Sequence, residues 1–220
     1  MSALNDPKLE SLLADLHARS RAQEPLTENY WRTRSGAWNG MEERDHAHYA
    51  DKFVALEPDK AEFCYMLCRA IGARRVVEVG TSFGVSTLYL AAAVRDNGGG
   101  SVIATEYEAG KVRVARENFA AAGLAATIDL REGDVRETLK RIEGPVDFVL
   151  FDIWADCVGP VLHLLAPHLH MGSVICTDNS AGERARANYK ELFDFVADPK
   201  NRLITQTLPF QGGFEMTVRV

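Results

Sequence analysis

From residue 58 onward, short apolar runs alternate with stretches whose apolar positions recur every three or four residues. The runs RVVEVG (75–80), GSVIATE (100–106), ATIDLREG (126–133), VDFVLFD (146–152) and GSVICTDN (172–179) read as strands. Between them, Pro58 opens a helix with Phe63, Met66, Leu67 and Ile71 on its apolar face. Helices are predicted over GVSTLYLAAAV, 109–122, 134–142, 159–168 and about 183–197. The chain closes with LITQTLPF, a turn at Gln211-Gly212-Gly213, and FEMTVRV. Ahead of all this, Leu9, Leu12, Leu13 and Leu16 mark an amphipathic helix over 7–20. Positions 21–50 are polar and aromatic, and read as a covering segment.

Strands alternating with helices imply a mostly parallel sheet with helices on both faces. A short glycine turn between the last two strands makes them an antiparallel hairpin at the sheet edge. The expected organisation is one α/β catalytic domain over 58–220, with residues 1–57 as its helical cover. In such sheets ligands bind beyond the carboxyl ends of the strands. Glu106, Asp152 and Asp178 end strands, so they should gather on one side.

Composition narrows the partners. The net charge of −6 argues against nucleic acid, which is usually gripped by a basic surface. No apolar run reaches the roughly 20 residues that span a bilayer, and the start MSALNDPKLE has no signal-peptide core. Cys64, Cys68, Cys157 and Cys176 form no C-x-x-C pair, and reduced thiols in a cytoplasmic protein are expected. A homodimer stays open.

The glycine turn VVEVGTSFGVST has a G-x-x-x-G spacing, unlike the G-x-G-x-x-G of dinucleotide enzymes. Glu106 ends the following strand, where an acid accepts hydrogen bonds from ribose hydroxyls. Together they favour an adenosine-containing ligand. Glu78 lies inside a strand, where an acid is costly unless paired. It is expected to organise a loop or meet a cationic ligand. Asp152, Asp178 and Asn179 form an all-oxygen set that suits Mg²⁺.

In their order and spacing, EPDKAEF, RVVEVGTSFGVSTL, ATEYEAGKVRVARENFAAAG, REGD, FDIWAD and ICTDN resemble the cation-dependent class I O-methyltransferases that use S-adenosylmethionine. That family includes catechol and caffeoyl-CoA O-methyltransferases, and FDIWAD is closer to its catechol branch. The resemblance implies a Rossmann-like, seven-stranded fold and methyl transfer to a hydroxyl of a small, aromatic acceptor. It implies Asp152, Asp178 and Asn179 as metal ligands, with Asp152 also catalytic. It places Gly80, Ser82, Gly84 and Ser86 around the methionine part of the cofactor, with Glu78 nearby. Glu106 and Tyr107 fall at the ribose, Asp134 and Val135 at the adenine, with Asp152 and Trp154 close by, and Leu56 where the N-terminal segment passes. Ala155 stands where the family carries a lysine taken as the general base, and Gln206 lies near the place of a missing hairpin acid. His46 and His48 are candidate replacements for the base. A cofactor-binding protein with little transfer, or an enzyme acting on a modified tRNA base, are the alternative readings.

Overall fold

The computed structural model describes residues 4–35 and 40–220, the side chain of Arg184 excepted. Positions 1–3 and 36–39 of the N-terminal cover lie outside the described residues. Seven strands form one sheet: β1 (Arg75–Val79), β2 (Ser101–Glu106), β3 (Ile128–Glu132), β4 (Val146–Phe151), β5 (Leu169–Asp178), β6 (Leu203–Leu208) and β7 (Phe214–Arg219). Their order is β3-β2-β1-β4-β5-β7-β6, with β7 antiparallel to both its neighbours and the rest parallel. The hairpin therefore inserts its second strand beside β5 and leaves β6 at the edge.

Alternate residues of the central strands face opposite layers, as the two-residue period of a strand requires. Val76, Phe148 and Leu150 pack with α3 (Pro58–Ala70), α4 (Val85–Asp96) and α5 (Ala109–Ala122). Val77, Val79, Val149 and Phe151 pack with α7 (Ala155–Leu165) and α9 (Lys190–Ala197). All seven of those strand residues are at most 1% exposed, which is why these strands read as continuous apolar runs. The chain runs from β1 outward to β3, then crosses back to β4 on the other side of β1. This reversal opens a crevice at the carboxyl ends of β1 and β4.

Three elements differ from the expectations. The helix predicted over 7–20 is α1 (Pro7–Thr33), which continues through Pro25. Its second half is mostly exposed and has no apolar stripe, so periodicity does not register it. A further helix, α2 (Glu43–Tyr49), lies in the covering segment. It starts with a capping box in which Glu42 and Asp45 bond each other's backbone N–H. The helix expected over 183–197 divides into α8 (Gly182–Asn188) and α9 at Tyr189, whose hydroxyl donates to the Asp178 carbonyl at 3.1 Å. Elsewhere boundaries shift modestly: α6 (Val135–Thr138) is shorter than predicted, and α7 starts at Ala155 rather than 159.

Candidate active site

The turn after β1 is built around two left-handed glycines. Gly80 (φ +99°) runs so close to β4 that a Cβ would sit 2.1 Å from the Asp152 carbonyl oxygen. Asp152 N–H in turn donates to the Val79 carbonyl at 3.0 Å. Gly84 (φ +88°) caps α4, and a Cβ there would strike the Phe119 ring at 2.3 Å. Ser82 between them also has positive φ, +49°. Its N–H donates to one Glu106 oxygen at 2.7 Å, and the Glu108 N–H donates to the other at 2.9 Å. Burial raises the Glu106 pKa, and Lys111 opposes that shift. Each carboxylate oxygen has a second lone-pair direction, so both can still accept ligand hydroxyls.

Glu78 is fully buried on the α4 side of β1. One of its oxygens accepts from the Thr81 hydroxyl at 2.8 Å and from the Thr87 hydroxyl. The other, Oε1, has no hydrogen-bond partner. Burial pushes its pKa up to about 7, with the hydroxyls of Thr87, Ser86 and Thr81 pulling back. A buried, half-satisfied carboxylate beside a glycine turn is a place for a ligand cation. The shift has a stability consequence. A carboxyl raised from 4.5 to about 7 favours the fold at low pH, and that stability is lost as pH rises through about 7. In cofactor-free protein, Glu78 should cost about 3 kcal/mol between mildly acidic and alkaline conditions. Urea unfolding of Glu78→Gln should show a flatter pH dependence than wild type over that window. Parallel profiles for the two would reject the assignment.

The crevice opens into a cavity of 1120 Å³. Of the residues expected at the site, Gly80, Ser82, Glu106, Tyr107, Asp134, Val135, Asp152, Trp154 and Asn179 line it. Gly84 and Ser86 shape the turn from behind it, and Leu56 and Glu78 are buried beneath. Leu56 packs in the core with Phe53 and Phe83 rather than on the cavity wall. Asp134 caps α6 through the Arg136 N–H and pairs with the Arg136 side chain at 2.6 Å. Ala155 also lines the cavity, at the first position of α7.

The covering segment contributes the far wall. Trp31 of α1 and Tyr49 of α2 approach Trp154 with ring centroids 6.3 Å and 5.2 Å away. Behind them the Arg34 guanidinium grips both oxygens of buried Asp45, at 2.7 Å and 2.8 Å, holding α2 against the end of α1. That pairing keeps the Asp45 carboxyl far below the usual carboxylate range. Of the two candidate histidines, His46 lines the cavity beside Tyr107, while His48 stacks on Tyr30 at 3.9 Å. Trp31, Tyr49 and Arg34 were not singled out from sequence, although the run NYWRTRSGAW marks the segment as aromatic.

Asp152 and Asp178 lie on adjacent strand ends, because Phe151 pairs with Thr177. Their arrangement does not fit an open metal centre. Asp178 Oδ1 holds the Lys60 ammonium at 2.5 Å, and its Oδ2 accepts from the Asn179 amide at 2.8 Å. Asn179 thus meets Asp178 through its N–H, with its oxygen toward Gly212. Among the described residues, no group of three His, Cys, Asp or Glu side chains is disposed to hold a metal ion. Asp152, Asp178 and Asn179 thus come together in space, with Asp178 already bonded to Lys60 and to the Asn179 N–H.

Sheet order, glycine turn and crevice define a protein of the class I methyltransferase fold. Residues 77–180 match a family model described as a methyltransferase domain. The chain is similar to O-methyltransferases of catechol and caffeoyl-CoA type, as its motifs implied. One relative is a catechol O-methyltransferase from Mycobacterium tuberculosis, 32% identical over 127 residues, or 57% of each protein. The chain thus spans little more than half the length of that relative. An O-methyltransferase from Bacillus cereus, solved in complex with SAH, superposes with a TM-score of 0.69 over 80% of this chain and 88% of its own, at 22% identity. A cofactor-bound structure of Rv0187 from MTB superposes with a TM-score of 0.70 over 98% of this chain and 90% of its own, at 23% identity. Among the described residues no helix is long and apolar enough to cross a membrane.

Proposed function

We propose that this chain is an S-adenosylmethionine-dependent O-methyltransferase acting on a small hydroxylated aromatic acceptor. The observation that carries the reading is the cavity, which runs from Glu106 and the Gly80 turn past Asp152 to Trp31, Tyr49 and Trp154. At the first end, Glu106 takes the ribose hydroxyls, and the Gly80–Gly84 turn with Ser82 and Ser86 surrounds the amino-acid part. Glu78, through its unpartnered oxygen, supports the cationic side of the cofactor. Asp134, Val135 and Tyr107 border the base. When bound, the cofactor supplies an electrophilic methyl on a sulfonium.

At the second end, Trp31, Tyr49 and Trp154 clasp a planar acceptor, as aromatic rings do in offset or tilted contact. Asp152 accepts a hydrogen bond from the acceptor hydroxyl and so aligns its oxygen with the methyl carbon. Alignment of this kind is a large part of any bimolecular displacement. The covering helices exclude water from the reacting atoms. On transfer the sulfonium would leave as a neutral thioether and the hydroxyl proton would pass to Asp152, since alanine at position 155 has no group to take it.

Two measurements test the reading. Glu106→Ala should weaken S-adenosylmethionine binding by about 1.5–3 kcal/mol, the range for hydrogen bonds to a charged group. Unchanged affinity in calorimetry would remove Glu106 from the ribose. Transfer of labelled methyl should then be assayed across catechols, hydroxycinnamates and tRNA. Methylation of the aromatic hydroxyls is expected. Tight cofactor binding without transfer to any of these would favour a cofactor-binding role, the outcome that Ala155 makes specific. Transfer to tRNA alone would replace the acceptor class.

A further inference from the structure

Lys60 has no exposed surface, which is rare for an ammonium. It lies in the first turn of α3, where the helix dipole is positive and a cation is disfavoured. Burial and dipole both count against it, so its charge must be held by its partners. Those are Asp178 at 2.5 Å and Glu57 at 2.9 Å. Asp152 stands beside Asp178 at the adjoining strand end. The ammonium thus sits on one of the two acids that the motifs assign to a divalent ion, with the other at the adjoining strand end. It occupies Asp178 Oδ1, and Asn179 occupies Oδ2 with a donor rather than an acceptor. For Mg²⁺ to enter, Lys60 would have to leave a fully buried position and two anions, and Asn179 would have to turn over. An octahedral oxygen shell is harder to complete where the principal carboxylate already accepts from a buried ammonium and an amide N–H.

We propose that the Lys60 ammonium is the resident cation of this site, standing in place of a divalent metal, so that the chain neither binds nor requires one there. The side chain is tethered and needs no dehydration from bulk water, so it supplies a fixed positive charge on Asp178, behind the cavity wall. Ala155 stands where the related enzymes carry a lysine after the strand-end tryptophan, while a lysine from α3 reaches Asp178. The part of this inference that concerns turnover rests on the proposed function; the part that concerns metal binding does not.

The test is a Mn²⁺ titration followed by the electron paramagnetic resonance signal of the free ion. It uses the full chain as wild type, Lys60→Gln and Asp152→Asn. Wild type should leave Mn²⁺ free until roughly millimolar concentration, the weak end of oxygen-ligand sites. Lys60→Gln should gain a site roughly tenfold tighter or more, because a neighbouring like charge has been removed. Stoichiometric micromolar uptake by wild type that disappears in Asp152→Asn would overturn the proposal. The wild-type titration decides by itself if Lys60→Gln does not fold. In the transfer assay, turnover should survive exhaustive chelation undiminished. Turnover lost on chelation and restored by Mg²⁺ would also overturn it. If no acceptor is methylated under any condition, the functional reading fails and the titration still judges the cation.

Discussion

Gly80→Ala should cost the protein about 2–5 kcal/mol of stability and remove most of the proposed cofactor affinity. Two terms add. A left-handed backbone strains any residue with a Cβ by about 1–2 kcal/mol. The remainder is overpacking, typically about 1–3 kcal/mol. Here the new methyl would lie 2.1 Å from the Asp152 carbonyl oxygen and 2.9 Å from its carbon. Neither atom is a flexible side-chain end. Asp152 is tied to Val79 through its own N–H, so the strand end cannot swing aside. Relief must come from displacing the turn that carries Ser82 against Glu106. Gly98→Ala is the control. Gly98 has φ +89° and nothing within 4 Å of its would-be Cβ, so only the strain term applies. Denaturant midpoints at constant slope measure both. Equal losses for the two variants would show that the close approach of β1 to β4 is not what constrains Gly80.

Lys60→Met should be comparably damaging. Removing one partner of a buried ion pair typically costs about 3–5 kcal/mol, because the other charge is left without compensation. Asp178 is 5% exposed, and its remaining partner is the amide of Asn179. Burial drives its pKa up to about 6 even with Lys60 pulling it down, so loss of the lysine would push it higher still. Lys60 is held charged from the other side: burial lowers its pKa, but Asp178 and Glu57 outweigh this and leave it raised. The double variant Lys60→Met/Asp178→Leu should recover most of the loss, since apolar replacement of a whole buried pair is often near neutral. A double-mutant cycle from urea unfolding gives the coupling. Additive losses in the double variant would mean that each residue acts through packing alone.

The parallel sheet was legible in the sequence because its strands are buried on both faces. Val76-Val77 and Phe148-Val149-Leu150 must be apolar at consecutive positions, and such runs stand out between amphipathic helices. Glu106, Asp152 and Asp178 could be placed at strand ends for the same reason: an acid closing an apolar run marks where burial stops. The glycine turn was legible because positive φ and close approach both select glycine.

What the tertiary structure alone decided lies where residues distant in sequence meet. The second half of α1 has no apolar stripe, so no period announces it; its packing comes from Tyr30 and Arg34 against α2. Trp31, Tyr49 and Trp154 become one wall only when α1 and α2 fold over the crevice. The β7 strand sits between β5 and β6 because hairpin insertion is a matter of edge pairing, which hydrophobic order does not encode. Lys60 shows the limit most sharply. In EPDKAEF it looks like any surface lysine of a first helical turn. Its meaning comes from 118 residues away, where Asp178 closes β5 and accepts its ammonium. Motif spacing named Asp178; only the packing of α3 on the sheet placed an ammonium against it.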